Sequence, residues 1–138
     1  MNNKIAFSIM RKKILLVDDI KEFRALLKVL LSGSYDVVTA EDGETALDMI
    51  KGGFNPDVIV TDLIMPGMDG YQLISNIRNK KCWTNIPIIV LSNVDKPAER
   101  HKLTRSKTIN SFLHKPFNTH DLNAGLKKSL DSVLDNVN

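Results

Sequence analysis

The sequence predicts an α/β fold with a single doubly wound, five-stranded parallel sheet and five helices. Five apolar segments of strand length recur along the 138 residues, and stretches with helical spacing of apolar residues separate them. The apolar segments are nearly continuous, which indicates strands buried on both faces. Regular alternation of such strands with helices favours a parallel sheet that helices cover on both sides.

The predicted strands end in turns or polar residues. They cover residues 14–17, 36–40, 58–61, 86–91 and 109–113. The first runs into Asp18-Asp19 and the third into Asp62. A loop rich in helix and strand breakers, residues 65–70, follows the third strand.

The predicted helices lie between the strands and after the last one. The first should face inward through Ile20, Phe23, Leu26, Leu27 and Leu30, and Gly33 should end it. In the second helix the inward residues are Ala46, Leu47, Met49 and Ile50. In the third they are Leu73, Ile74 and Ile77. In the last they are Leu122, Leu126, Leu130, Val133 and Leu134. The fourth helix, residues 97–105, is short and polar.

The composition is that of one ordinary globular domain, with 43% hydrophobic and 25% charged residues. The single cysteine, Cys82, is expected in or near the core of a reduced protein. A short apolar patch precedes the basic cluster at residues 11–13, which is the reverse of a signal peptide, and no apolar run is long enough for a membrane span. We therefore expect an N-terminal extension over residues 1–11, one domain over residues 12–138, and a cytoplasmic protein without a membrane partner.

The reactive side chains follow the strands. Asp18 and Asp19 end the first strand, Asp62 the third and Ser92 the fourth, and Lys115 follows the fifth. Because the carboxyl ends of parallel strands share one edge of the sheet, these residues should converge on a single pocket. Such a pocket is suited to phosphoryl transfer, where positioning and charge neutralisation do most of the catalysis.

The residue types suggest a role for each member of this cluster. Three neighbouring carboxylates repel one another unless a cation is present, and Mg²⁺ prefers oxygen ligands of this kind. Asp62 would attack phosphorus as a carboxylate nucleophile. Lys115 and the hydroxyl of Ser92 would each bind a phosphoryl oxygen.

Four motifs in order resemble the receiver domains of two-component response regulators, of the stand-alone, chemotaxis-regulator-like type. The resemblance covers residues 12–134. The motifs are Ile14-Leu15-Leu16-Val17-Asp18-Asp19, the stretch from Val58 through Asp62 to Gly70, Ile88-Ile89-Val90-Leu91-Ser92, and Phe112-Leu113-His114-Lys115-Pro116-Phe117. The resemblance implies the strand order 2-1-3-4-5.

The resemblance also implies roles for individual residues. Asp62 would be the phosphoacceptor, Asp19 a direct Mg²⁺ ligand and Asp18 a ligand acting mainly through water. The backbone carbonyl of Ile64 would complete the metal ligands. Ser92 and Phe112 would be the switch residues. The peptide bond before Pro116 would be a candidate cis bond.

In such a protein a sensor histidine kinase or a phosphotransfer protein supplies the phosphoryl group. The surface of helix four, strand five and helix five then changes for an unknown downstream protein. The resemblance implies a bacterial signalling switch that catalyses only its own phosphorylation and dephosphorylation. It would be a monomer or a weak homodimer.

Three features carry further expectations, and the first two are departures from the usual family pattern. Ile64 and Val94 are apolar where the family influences hydrolysis, so we expect a long-lived acyl phosphate. Thr108-Ile109 replaces a more usual Gly-Ala and should change how helix four approaches strand five. The basic residues around helix four fit either a solvated charged helix or a docking surface for an acidic partner whose binding weakens with salt: Lys96, Arg100, Lys102, Arg105 and Lys107.

Other functions remain open at this point. An aspartyl-phosphate phosphatase of the haloacid-dehalogenase-like group would usually carry an Asp-x-Asp motif and a cap insertion, whereas this chain has adjacent aspartates and no insertion. The net charge of +3 permits nucleic-acid binding, but no nucleic-acid-binding motif is visible and we expect no direct contact. A phosphorylation-independent binding module and a phosphorelay intermediate are further alternatives.

Overall fold

The computed structural model describes residues 11–93, 96–105 and 108–137. The strands are β1 (Lys13–Val17), β2 (Asp36–Ala40), β3 (Val58–Thr61), β4 (Ile88–Ser92) and β5 (Ser111–His114). The helices are α1 (Lys21–Leu31), α2 (Gly43–Lys51), α3 (Gly70–Arg78), α4 (Pro97–Arg105) and α5 (Thr119–Val137), with a short 3-10 turn at Lys81–Trp83. Within these described residues, no helix is both long and apolar enough to cross a membrane.

The five strands form one parallel sheet in the order β2-β1-β3-β4-β5. The predicted fold class and strand order are therefore confirmed. Val17 at the end of β1 lies beside Ala40 of β2 and Thr61 of β3, and Ser92 at the end of β4 lies beside His114 of β5. This register brings the carboxyl ends of the strands to one edge of the sheet.

Two apolar cores lie on opposite faces of the sheet. Leu15 and Val17 belong to the core that α2, α3 and α4 cover, and Ile14 and Leu16 belong to the core beneath α1 and α5. All four side chains are almost completely buried. This double burial explains why the strands are continuously apolar in sequence.

The predicted inward face of α1 is partly wrong. The buried ridge follows the i, i+4 spacing of Phe23, Leu27 and Leu31, which pack in the core beneath this helix. Three residues predicted to face inward flank this ridge and lie at the surface: Ile20, Leu26 and Leu30, which are 51%, 54% and 48% exposed. Since only one ridge of α1 contacts the sheet, the helix keeps an apolar outer surface.

Two predicted strands are shifted. β4 begins at Ile88 and includes Ser92, and β5 begins at Ser111 and ends at His114. Pro87 has no N–H to donate to a ladder. The β4–β5 pairing instead begins at Asn110, whose N–H donates to the Ile88 carbonyl at 2.7 Å and whose side-chain oxygen accepts from the Ile88 N–H at 3.0 Å.

The prediction for Cys82 is wrong, because this residue is exposed on the 3-10 turn after α3. In α5, Leu122 and Leu126 are buried as predicted. The side chains of Val133 and Leu134 lie outside the described residues.

Arg11 is bound to the folded domain although the sequence assigned it to the extension. Its guanidinium pairs with Asp36 at 3.1 Å and donates to the backbone carbonyls of Ser32, Gly33 and Tyr35. These bonds satisfy carbonyls after the C-terminus of α1. The division of the chain at residue 11 stays a prediction, since residues 1–10 lie outside the described part.

The breaker-rich loop after β3 ends in a capping box that starts α3. The Asp69 carboxylate accepts from the Gln72 N–H at 2.9 Å, and the Gln72 side chain accepts from the Asp69 N–H at 3.1 Å. The next residue, Gly70, packs directly on the backbone of the site. A Cβ there would overlap the Asp62 carbonyl and stand 2.7 Å from the Leu63 Cα.

We expect Gly70→Ala to lower the free energy of unfolding by about 3 kcal/mol, since the added methyl would displace backbone rather than a flexible side chain. Gly33→Ala is the matched control, because a Cβ at Gly33 meets nothing within 4 Å. Urea unfolding of both variants and the wild type tests this. A Gly70→Ala protein as stable as Gly33→Ala would contradict the close packing of α3 on Asp62.

Candidate functional site: an acidic pocket at the carboxyl edge of the sheet

The five side chains predicted to converge come from the ends of four strands. Asp18 and Asp19 follow β1, Asp62 follows β3, Ser92 is the last residue of β4, and Lys115 follows β5. The backbone N–H of Lys115 donates to the Ser92 carbonyl at 2.8 Å, so the β4–β5 pairing continues to the edge of the pocket. The backbone N–H of Asp62 donates to the Val17 carbonyl at 3.1 Å and ties β3 to β1.

The three aspartates form a cluster that could hold a metal ion. One carboxylate oxygen from each of Asp18, Asp19 and Asp62 lies within 4.8 Å of the others. Asp18 and Asp62 are buried, with 1% and 6% exposure, whereas Asp19 is exposed. Burial raises the pKa of Asp18 above its ordinary value, although hydrogen bonds from Ile20 and Lys115 oppose this effect.

Backbone groups orient the Asp62 carboxylate. Its Oδ1 accepts from the Leu63 N–H at 2.7 Å and from the Ile64 N–H at 3.4 Å. Its Oδ2 accepts from Lys115 Nζ at 3.2 Å. The two oxygens therefore have different environments, one bound to backbone N–H groups and one facing a cation.

Lys115 joins two of the aspartates. Its Nζ lies 3.1 Å from Asp18 Oδ2 and 3.2 Å from Asp62 Oδ2, and its side chain is only 16% exposed. The same Nζ lies over the face of the Phe23 ring, 4.2 Å from its centroid. The peptide bond between Lys115 and Pro116 is cis.

Around these charged groups the pocket is largely apolar. It has a volume of about 580 Å³ and includes Asp19, Asp62 and Lys115 among its lining residues. Its apolar wall consists of Ile20, Phe23, Leu26 and Ile64. The Ile64 side chain stands at the mouth of the pocket and is 57% exposed.

Neither of the two predicted switch residues is among the residues that line this pocket. Ser92 is fully buried at the end of β4, and Phe112 is 7% exposed on β5. Phe112 packs in the same core as Leu103 of α4. Val94 lies outside the described residues.

Sequence reasoning missed the contact of Phe23 with Lys115. The sequence pattern identifies Phe23 only as one residue of a helix face. The motif after strand five contains Phe117 but does not indicate the edge-to-face contact that its ring makes with Phe23, 6.1 Å between centroids and 84° between planes. Apolar periodicity places Phe23 on the inner face of a helix but does not indicate that its ring meets a lysine that follows a distant strand.

The fold and this pocket define the class of protein domain: a doubly wound α/β domain with an acidic site at the carboxyl edge of its sheet. The family model described as the response regulator receiver domain matches residues 14–127. The chain therefore belongs to the response regulator receiver domain family. Receiver domains are switches of two-component signalling that interact with histidine kinases and downstream effectors.

Individual relatives agree with this assignment. Chemotaxis protein CheY-3 of Vibrio cholerae is 35% identical over 129 residues, covering 91% of this chain and 93% of that protein. Sensor histidine kinase TmoS of Ectopseudomonas mendocina is 38% identical over 112 residues, covering 81% of this chain but only 11% of the kinase. Response regulator TrrA of Thermotoga maritima, solved in complex with Mg²⁺-BeF, is 37% identical with a TM-score of 0.74, covering 86% of this chain and 99% of that one.

We expect Lys115→Met to destabilise the metal-free protein by about 3 kcal/mol, because two largely buried carboxylates would lose their shared cation. Adding Asp62→Asn should recover part of this loss by removing one of the two charges. Urea unfolding in EDTA measures both effects, and Lys127→Met on the exposed surface of α5 is the control. Equal stability of the Lys115→Met and Lys127→Met proteins would show that the two ion pairs contribute nothing to the fold.

Proposed function

We propose that this domain accepts a phosphoryl group on Asp62, in a Mg²⁺-dependent reaction, from a phosphohistidine of a sensor histidine kinase or phosphotransfer protein. One observation carries the proposal. Asp62 is a buried carboxylate whose Oδ1 is held by backbone N–H groups and whose Oδ2 faces Lys115, in a cluster of three aspartates. A nucleophile, a phosphate-binding cation and a candidate metal site are thus within one pocket.

The donor set is suited to Mg²⁺, which prefers oxygen ligands and keeps several waters. Asp19 and Asp62 would bind the ion directly, Asp18 would act mainly through water, and the Ile64 carbonyl would complete the protein ligands. When bound, the ion would neutralise the aspartates and the incoming phosphoryl oxygens. The structure of the related protein TrrA in complex with Mg²⁺-BeF supports this assignment.

The chain's own residues would position and neutralise the transferred group. The Asp62 carboxylate attacks phosphorus, an acyl phosphate bond forms, and the phosphorus–nitrogen bond of the phosphohistidine breaks with its electron pair going to the imidazole. Lys115 already lies 3.2 Å from Asp62 Oδ2 and can bind a phosphoryl oxygen after a small movement. The Ser92 hydroxyl would bind another oxygen and begin the switch.

The outer surface of α1 provides a place for the phosphodonor beside the pocket. Leu26, Val29 and Leu30 are 54%, 76% and 48% exposed on this helix, and Ile20 continues the apolar surface into the pocket wall. Exposed apolar side chains that form a patch mark interaction sites. A donor that packs an apolar helix face on α1 would bring its phosphohistidine next to Asp62.

The switch would carry the signal from the pocket towards α4. Ser92 is the last residue of β4, and Phe112 packs in the same core as Leu103 of α4. Lys96 and Lys102 are exposed at this helix and support an acidic downstream partner. Side chains at residues 100, 105 and 107, which the sequence analysis included in this basic group, lie outside the described residues.

Incubation with Mg²⁺ and acetyl phosphate should add one phosphoryl group to the wild type and none to Asp62→Asn, because the amide is not a nucleophile of this kind. Intact mass spectrometry measures the addition, and EDTA should abolish it. Asp48→Asn, which changes an exposed carboxylate on α2, should be labelled like the wild type. Labelling of Asp62→Asn would refute Asp62 as acceptor, and no labelling of any protein would favour a phosphorylation-independent binding module.

The acyl phosphate should be long-lived, because Ile64 at the pocket mouth has no polar group to orient attacking water. Ile64→Asn should shorten its lifetime several-fold by supplying such a group, whereas Ile64→Leu should leave the lifetime unchanged. The decay of labelled protein after removal of acetyl phosphate measures both. A wild-type lifetime as short as that of Ile64→Asn would contradict this role of the side chain.

A further inference from the structure

Lys115 contacts two carboxylates and the face of an aromatic ring. Its Nζ contacts the carboxylates of Asp18 and Asp62 at 3.1 and 3.2 Å, and it also lies over the face of the Phe23 ring, 4.2 Å from the ring centroid. The negative face of an aromatic ring attracts a cation at this distance. The ring also replaces water that would otherwise surround the ammonium group.

The Phe23 ring is itself held in place. It lies on α1, where it packs with the core residues Leu27 and Leu31, and the Phe117 ring meets it edge to face. Phe117 follows Lys115 by two residues, so the same segment supplies both the cation and a support for the ring that covers it. The contact therefore links α1 to the loop after β5.

We propose that Phe23 is a positioning residue for Lys115, a role that rests on the proposed phosphorylation of Asp62. By covering one side of the ammonium group, the ring directs its N–H bonds towards Asp18, Asp62 and a phosphoryl oxygen beside them. A lysine side chain has four flexible bonds, and a fixed direction reduces the entropy lost when it binds the transferred group. Phe23 touches no reacting atom in this scheme and acts through Lys115.

The competing explanation is that Phe23 only fills the core beneath α1. Leucine would fill much of the same space without a ring face, whereas tyrosine would keep the ring. Phe23→Leu and Phe23→Tyr therefore separate the two explanations. Phe54→Leu is the matched control, since Phe54 packs in the opposite core, away from Lys115.

NMR of the metal-free protein gives a readout that does not depend on phosphorylation. In the wild type and in Phe23→Tyr, the ring should shift the Lys115 Cε protons upfield. In Phe23→Leu that shift should disappear, and in Phe54→Leu it should remain. Wild-type Cε protons at ordinary lysine positions would overturn the inference, whatever the activity of the variants.

The labelling rate with acetyl phosphate and Mg²⁺ then tests the consequence. Phe23→Leu should be labelled about three- to tenfold more slowly, the change expected for loss of a partly exposed cation–π contact. Its Mg²⁺ affinity, measured by calorimetry, should change by less than about twofold, because a phenylalanine ring has no oxygen to offer Mg²⁺ and the Phe23 ring contacts Lys115 and Phe117. Phe23→Tyr should restore the rate.

The outcomes distinguish this inference from the function on which it rests. If the wild type and Phe23→Leu are labelled equally fast, or Phe23→Tyr is as slow as Phe23→Leu, the positioning role is wrong while phosphorylation of Asp62 stands. If the wild type is not labelled and the Lys115 signal is shifted as expected, the proposed function fails and the role of Phe23 in it fails with it.

Discussion

The contact of one lysine with two aspartates is the interaction on which the site depends. Lys115 lies 97 positions from Asp18 and 53 from Asp62 along the chain, yet its Nζ contacts both carboxylates. Only the parallel arrangement of β1, β3, β4 and β5 brings these three residues together. Burial disfavours the charged form of Asp18, so the lysine, and a metal ion where one binds, offset the cost of collecting acids at this edge.

The sheet and the charged residues of the pocket could be predicted because each depends on a simple rule. Strands buried on both faces are continuously apolar, and polar residues that follow parallel strands meet at one edge. The outer surface of α1 could not be predicted in this way. Its sequence offers more apolar residues than the sheet can cover, and only the packed structure shows that the ridge of Phe23, Leu27 and Leu31 is the buried one.

The contact between Phe23 and Lys115 could not be predicted from the sequence for the same reason. Apolar periodicity tells which residues of a helix face inward, but it does not tell which of them ends beside a cation from another element. The exposed position of Cys82 likewise depends on a local 3-10 turn that no periodic pattern marks. Sequence patterns therefore predict layers and edges better than individual side-chain contacts.

Helix α1 connects the two tasks that the proposed function requires. Its inner ridge carries Phe23 over Lys115, and its outer surface carries the apolar residues available to a phosphodonor. A partner that packs on the outer surface would therefore bind the same helix that orients the phosphate-binding lysine. Side chains in a packed core transmit small displacements. Binding of the phosphodonor and the orientation of Lys115 in the pocket would therefore be coupled through this one helix.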